Sequence, residues 1–92
     1  MSRYTWHEVK AEDNVRKHGI TFAEAATVDL DPFRLILPDH TRDASDQRFR
    51  MIGYSSAGRL LLVVTSERGP RPRIISARRA TKRERHAYED RP

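Results

Sequence analysis

Residues 73 to 85 read Arg73-Ile74-Ile75-Ser76-Ala77-Arg78-Arg79-Ala80-Thr81-Lys82-Arg83-Glu84-Arg85. The first half is apolar and β-branched, which favours a buried strand. The second half contains Thr81-x-x-Glu84, in which each side chain can bond the free backbone N–H of the other residue at a helix start. The stretch therefore predicts a strand that leads almost directly into a helix, with Arg78 and Arg79 at the junction.

These junction arginines are candidates for chemistry, because a strand fixes the direction in which their guanidinium groups point. A basic helix alone is more often a solvated face than a site. Side chains of an ideal strand alternate, so one face would carry Ile74, Ser76 and Arg78 and the other Arg73, Ile75, Ala77 and Arg79. We expect Ile75 and Ala77 to face the helices, Arg78 to project from the open face, and Arg79 to reach solvent.

The rest of the chain predicts an α+β fold: two N-terminal helices packed on a four-stranded antiparallel sheet, with a short basic helix at the C-terminus. The first helix runs from His7 to His18, ended by Gly19, and the second ends before Asp31-Pro32. Strands are predicted at 33–37, which Pro38 ends, at 47–54 and 59–67, and in the opening stretch. Residues 4–6 are a candidate short edge strand, and residues 39–46 predict a loop. Helices that precede the strands favour α+β over a parallel sheet.

Length and charge indicate one small basic domain that spans residues 1–92. Net charge is +5, and 34% of the residues are charged. Residues 1–46 hold 6 Lys and Arg against 9 Asp and Glu, whereas residues 47–92 hold 12 against 4. The halves therefore carry −3 and +8, and the basic half predicts a polyanionic partner, with nucleic acid favoured over a membrane surface.

Several functional classes are disfavoured by what the sequence lacks. It has no cysteine, and its four histidines show no metal-ligand spacing, so we expect neither a thiol nucleophile nor a metal site. No glycine-rich phosphate loop is present, and no cofactor is expected. No apolar run approaches membrane-spanning length and the N-terminus does not resemble a signal peptide, so we expect a cytoplasmic protein with no membrane partner.

A family resemblance covers nearly the whole chain. Its most specific motifs are Lys17-His18-Gly19 and Ile75-Ser76-Ala77-Arg78, and other shared positions include Trp6, Lys10, Asn14, Arg48, Arg68-Gly69, Arg73 and Tyr88-Glu89. Together these residues resemble the BrnT family of bacterial type II toxins, which are similar in fold to RelE-type ribonucleases. Two positions depart from the family pattern: His7 stands where an acidic residue is usual, and Pro72 where an aliphatic one is.

The resemblance implies a metal-independent endoribonuclease that cleaves RNA, inhibits translation and is held inactive by BrnA, a DNA-binding antitoxin of the ribbon-helix-helix type. A homodimer and a toxin–antitoxin heterotetramer both remain open. The alternative is a non-catalytic basic module that binds nucleic acid or serves as the partner of a DNA-binding protein.

Metal-free RNA cleavage needs a proton acceptor, a proton donor and cations that stabilise the phosphorane. The predicted catalytic residues are His18, Arg68, Arg73 and Arg78, and the predicted RNA-binding residues are Trp6, Lys17, Arg48, Arg79 and Tyr88. His18 can transfer protons near neutral pH, but it can equally serve the helix C-terminus as a cation. Structural roles are the alternatives for Trp6 and Tyr88 (packing) and for Arg48 and Arg73 (ion pairs).

Overall fold

The structure is a computed structural model that describes residues 3–39 and 47–91. In chain order its elements are β1 (Thr5–Trp6), α1 (Glu8–His18), α2 (Phe22–Ala26), a 3₁₀ turn (Thr27–Leu30), β2 (Leu35–Asp39), β3 (Arg48–Tyr54), β4 (Leu60–Ser66), β5 (Arg73–Arg79) and α3 (Lys82–Glu89). The α+β class and all three predicted helices are confirmed. Apart from Asp39, the predicted loop at 39–46 lies outside the described residues.

The sheet has five strands in the order β1-β5-β4-β3-β2, and it is mixed rather than wholly antiparallel. Strands β2 to β5 form the predicted antiparallel meander, with the apolar β4 at its centre. The prediction of four antiparallel strands is nevertheless wrong, because β1 pairs in parallel with β5, Thr5 opposite Arg73 and Trp6 opposite Ile74. Two residues are too few to show a pairing partner in the sequence.

Strand β2 differs from its predicted bounds at both ends. It begins at Leu35 because Phe33 and Arg34 belong to a turn in which their backbone N–H groups donate to Asp31, at 2.9 and 3.1 Å. It continues through Pro38, which lies opposite Phe49. Proline was expected to end the strand, but β2 is an edge strand, and an edge tolerates a residue that has no N–H.

The caps of the helices follow the sequence closely. Gly19 ends α1 with a φ of 69°, a conformation that costs glycine little. The Thr21 hydroxyl accepts from the Glu24 N–H at the start of α2, and the Thr81–Glu84 capping box of α3 is complete. The Glu24 carboxylate accepts hydrogen bonds from the Arg59 guanidinium and the Ser55 hydroxyl, which lie far away in the chain.

Apolar side chains cover both faces of the sheet. Helices α1 and α2 pack on one face, whose core is Tyr4, Ile20, Phe22, Ala25, Ala26, Val28, Met51, Leu61, Val63, Ile74 and Ala77. The smaller cluster of Ile52, Leu60 and Leu62 lies on the other face, against Tyr88 of α3 and the preceding Ala80. The face that we expected to be open is therefore partly covered by α3.

A β-bulge in β5 overturns the simple alternation predicted for this strand. Val64 lies opposite Ser76, but Thr65 lies opposite Ile74, so Ile75 is an extra residue between two pairs. Ile74 and Ala77 therefore both enter the main core, where they are 1% and 0% exposed. Ile75, which was expected to face the helices, is half-buried instead. Because Ile75 is an extra residue, the side chains that precede it in β5 lie on the opposite faces from those that simple alternation predicts.

Candidate active site: a basic cavity beside the bulge

A cavity of about 360 Å³ lies beside the bulge, at the end of the sheet where β1 is located. The described residues that line it are His7, Lys10, Arg48, Ser66, Arg68, Gly69, Arg73 and Ile75. Four of these side chains are cationic, and no carboxylate lines the cavity within residues 3–39 and 47–91. The cavity therefore presents positive charge to whatever enters it.

The floor of the cavity is a row of residues across three adjacent strands. Ser66 on β4 lies opposite Arg48 on β3 and opposite Arg73 on β5. Residues directly opposite one another project to the same side of a sheet, and neighbouring strands are about 5 Å apart. The two arginines thus flank the serine on one face, with their backbones roughly 10 Å apart.

The bulge explains why Arg73 belongs to this row. Strict alternation would place it on the face of Ala77, towards the helices. Because Ile75 is extra, Ile74 enters the core at that face, and Arg73 projects to the opposite side with Ser66 and Arg48. Bulges often re-aim side chains next to active sites.

The other wall of the cavity comes from α1, which is held to the edge of β5 by Asn14. Its Nδ2 donates to the carbonyl oxygens of Ala77 and Ile20, at 2.8 and 2.9 Å, and its Oδ1 accepts from the Ala77 N–H at 3.1 Å. Lys10 lies one helical turn before Asn14 on the same side of the helix. His7, the N-cap of α1, follows β1 directly.

Several described arginines are neutralised by carboxylates, whereas three cations of the cavity are not. Arg3, Arg34, Arg59 and Arg78 each form an ion pair with a carboxylate. Among the described residues, no ion pair forms with Lys10, Arg68 or Arg73 of the cavity. Cations without carboxylate partners in one concave site favour the binding of an anion.

Three of the predicted site residues, Arg48, Arg68 and Arg73, come together in this cavity, and the other six lie outside its lining. His18 ends α1, about 12 Å along the helix from Lys10 at 1.5 Å per residue. Lys17 and Arg79 are exposed. Trp6 packs edge-on against Phe22, with ring centroids 6.2 Å apart.

Arg78 holds the last helix to the sheet. Its two terminal nitrogens donate to the two carboxylate oxygens of Glu84, at 2.8 and 2.9 Å. These hydrogen bonds lower the pKa of Glu84 and raise that of Arg78. The expectation that Arg78 projects freely from an open face is therefore wrong, because the start of α3 covers it.

Tyr88 on α3 is likewise held by contacts within the protein. Its hydroxyl donates to Asp31 at 2.7 Å, and its ring meets that of Tyr54 edge-on at 5.5 Å. Burial and the hydrogen bond to Asp31 raise the pKa of Tyr88 to about 12. Burial raises the pKa of Asp31, but hydrogen bonds from the Tyr54 N–H, the Tyr88 hydroxyl and the Phe33 N–H outweigh it and leave that pKa lowered.

Four residues that were not predicted as site residues contribute to this site. His7, Lys10 and Ser66 line the cavity, and Asn14 holds α1 against β5. Lys10 and Asn14 share a helix face, which was a usable signal. His7 drew notice only as a departure from the family pattern. Ser66 is found only through its register with Arg73, which no local pattern reveals.

Neither a metal cluster nor a membrane span appears in the part of the chain that the structure covers. Within the described ranges, no group of three or more His, Asp or Glu side chains is arranged to hold a metal ion. No described helix is long and apolar enough to cross a membrane.

Comparison with known proteins places this fold and cavity in a family. The family model described as "Ribonuclease toxin, BrnT, of type II toxin-antitoxin system" matches residues 6–84. The chain belongs to the BrnT family. The matched range contains every residue that lines the cavity, so the cavity is part of the BrnT domain itself. BrnT proteins are ribonuclease toxins of type II toxin–antitoxin systems.

A solved BrnT structure shares the fold. The crystal structure of the Brucella abortus ribonuclease toxin BrnT, at 1.1 Å resolution, aligns with a TM-score of 0.65 and 24% sequence identity. The alignment covers 86% of this chain and 96% of the Brucella chain. A comparison with curated proteins found no match.

Proposed function

We propose that this chain is a metal-independent endoribonuclease toxin that inhibits translation by cleaving RNA in the basic cavity. The observation that carries the proposal is the meeting of Lys10, Arg68 and Arg73 without carboxylate partners among the described residues. An RNA phosphodiester is an anion of the size and charge that such a set binds. Family membership supplies the reaction class, because BrnT proteins are ribonuclease toxins.

The cavity cations suit the transition state of RNA cleavage. Attack of the 2′ oxygen on phosphorus produces a phosphorane with more negative charge on its non-bridging oxygens than the ground state has. Arg68 and Arg73 can each donate two parallel hydrogen bonds to such oxygens, and Lys10 adds a compact charge from the α1 side. Donors fixed where charge develops favour the transition state over the bound substrate.

The predicted residues outside the cavity keep their proposed roles as hypotheses. Lys17 and Arg79 are exposed cations and would extend the surface that attracts RNA. Trp6 and Tyr88 would have to leave their packed positions to stack on a base. Catalytic roles for His18 and Arg78 require RNA to reach beyond the cavity lining.

The direct test is incubation of the purified chain with RNA in the presence of EDTA. Discrete fragments that form at the same rate with and without EDTA are expected. Binding without fragments, at protein concentrations that saturate the RNA, would favour the alternative of a non-catalytic basic module. Fragments that disappear with EDTA and return with a divalent cation would contradict the metal-independent mechanism.

We also propose that a BrnA-like antitoxin of the ribbon-helix-helix type covers the basic cavity with an acidic or amphipathic segment. The charge of Lys10, Arg68 and Arg73, which form no ion pair among the described residues, supports this, since a carboxylate can occupy the place of a phosphate. Isolation at native expression levels, followed by native mass spectrometry, is expected to give a complex of this chain with its antitoxin, and the mass of the complex reports whether it is a heterotetramer. Recovery of this chain without any antitoxin would contradict the proposal.

A further inference from the structure

We propose that His7 accepts the proton of the attacking 2′-hydroxyl, an inference that rests on the proposed ribonuclease function. Within residues 3–39 and 47–91, His7 is the one imidazole that lines the cavity.

The backbone of His7 is held on both sides. Trp6, immediately before it, pairs with Ile74 in the sheet and packs against Phe22. The carbonyl oxygen of His7 accepts from the Ala11 N–H at 3.0 Å, in the first turn of α1. The His7 side chain makes no capping hydrogen bond to the helix, and it is exposed. The imidazole is therefore available to a substrate, while the backbone between β1 and α1 is held in place.

The chemistry of the lining leaves few choices for a proton acceptor. Protonated lysine and arginine have donors and no acceptor, and a serine hydroxyl is itself too weak a base. The remaining polar side chain among the described lining residues is His7. A neutral imidazole has one ring nitrogen without a proton, and that nitrogen can accept one.

The proposed cleavage step needs no reactant other than the RNA, His7 and water. The 2′-hydroxyl proton passes to a ring nitrogen of His7 as the 2′ oxygen forms a bond to phosphorus. The bond from phosphorus to the 5′ oxygen breaks, and that oxygen takes a proton from water. The products are a 2′,3′-cyclic phosphate and a 5′-hydroxyl, and His7 then returns its proton to solvent.

The charged side chains that line the cavity together with His7 are all cationic in the described residues. They are Lys10 from α1, Arg48 from β3, Arg68 from the β4–β5 loop and Arg73 from β5. These cations can bind the phosphate, and His7 lines the same cavity, so its ring is available to the 2′-hydroxyl that neighbours a phosphate bound there.

The test compares histidine variants under single-turnover conditions with an RNA oligonucleotide. His7→Gln keeps a polar side chain but lacks a basic nitrogen, and it is expected to lower the rate at least about a hundredfold, in the usual range for general base catalysis. His7→Glu restores a proton acceptor and should recover part of the rate. His86→Ala on α3 is the matched control, because His86 is exposed and lies outside the cavity.

The pH profile separates proton transfer from a structural role. A carboxyl group ordinarily ionises near pH 4.3 rather than 6.5, so the acidic limb of kcat/KM should move to lower pH in His7→Glu. An unmoved limb with equal activity would assign His7 a structural role only and overturn the proposal. Near wild-type melting temperatures for the variants are required before the rates are compared.

A substrate with sulfur in place of the bridging 5′ oxygen distinguishes base from acid. A thiolate leaves without protonation, so loss of an acid is rescued by this substrate and loss of a base is not. His7→Gln should remain slow on it, and full rescue would overturn the assignment. Loss of activity in His18→Ala but not in His7→Gln would also overturn it while leaving the ribonuclease proposal intact. Absence of cleavage by the wild-type chain would refute the ribonuclease function itself.

Discussion

Asn14 on α1 bonds to both backbone polar groups of Ala77 on β5, at 2.8 and 3.1 Å. Strand β1 pairs with β5 only at Arg73 and Ile74, so further along the strand this edge needs another partner. A buried amide side chain supplies it, 5% exposed. The same bonds fix α1, and through it Lys10 and His7, beside the cavity.

Replacing Asn14 by alanine should therefore destabilise the whole fold. The variant leaves the Ala77 N–H and the carbonyls of Ala77 and Ile20 without this partner, and an unsatisfied buried group costs about 1–3 kcal/mol. A loss of at least about 2 kcal/mol in urea unfolding is expected. Glu12→Ala, at an exposed position of the same helix, should change the free energy of unfolding little. Equal stability of the two variants would show that Asn14 does not hold the helix.

The Arg78–Glu84 pair should make stability depend on pH in the acidic range. Its hydrogen bonds hold the pKa of Glu84 below the ordinary value of 4.5, so the folded state binds this proton less readily than the unfolded state. The contribution is complete above about pH 5 and is lost as pH falls through the lowered pKa. Urea unfolding of the wild type and Arg78→Ala should differ more at pH 7 than at pH 3. A constant difference would contradict the pairing.

Arg73→Ala should lower the single-turnover cleavage rate on the order of a hundredfold, the scale expected for loss of one transition-state donor. Its melting temperature should stay near that of the wild type, because Arg73 is exposed and has no ion-pair partner among the described residues. Arg83→Ala, which removes an exposed cation from α3, is the matched control and should retain the rate. Arg79→Ala should weaken RNA binding in a way that high substrate restores. Equal rates for Arg73→Ala and Arg83→Ala would remove Arg73 from the site.

RNA binding should be strongly salt-dependent. Cations that neutralise several phosphates release counterions, so log affinity should fall linearly with log salt, with a slope of about −0.7 for each phosphate contacted on a single strand. Substituting both Arg68 and Arg73 with alanine should reduce the steepness of this slope, which filter binding at several salt concentrations measures. A slope near zero in the wild type would show that the basic half does not bind RNA.

Local signals predicted most of the fold. The glycine after His18, the Thr81–Glu84 box and the apolar run of β4 each determine a boundary through contacts within a few residues. The bulge at Ile75 and the parallel pairing of β1 depend instead on residues far apart in the chain, and a strand of two residues carries no periodicity. The bulge decides which arginine faces the cavity, so simple alternation along the strand placed Arg73 on the wrong face.

Contacts between residues far apart in the chain also explain why the candidate site was only partly predicted. Arg48, Arg68 and Arg73 were recognised as cations, but the sequence could not tell which arginines have carboxylate partners. Arg78 was favoured by its position at the end of β5, and its pairing with Glu84 was hidden because Glu84 already had a role in the cap of α3. His7 required the register of β1 against β5 to bring it to the cavity.

The central claim is that the cavity directs a 2′-hydroxyl at the adjacent phosphate, and one substrate tests it most directly. An RNA oligonucleotide with a single 2′-deoxy residue on the 5′ side of the cleaved bond lacks only the attacking group. Cleavage at that bond is expected to stop, while the unmodified oligonucleotide gives a fragment ending in a 2′,3′-cyclic phosphate. Cleavage of the deoxy substrate at a comparable rate would contradict attack by the 2′-hydroxyl.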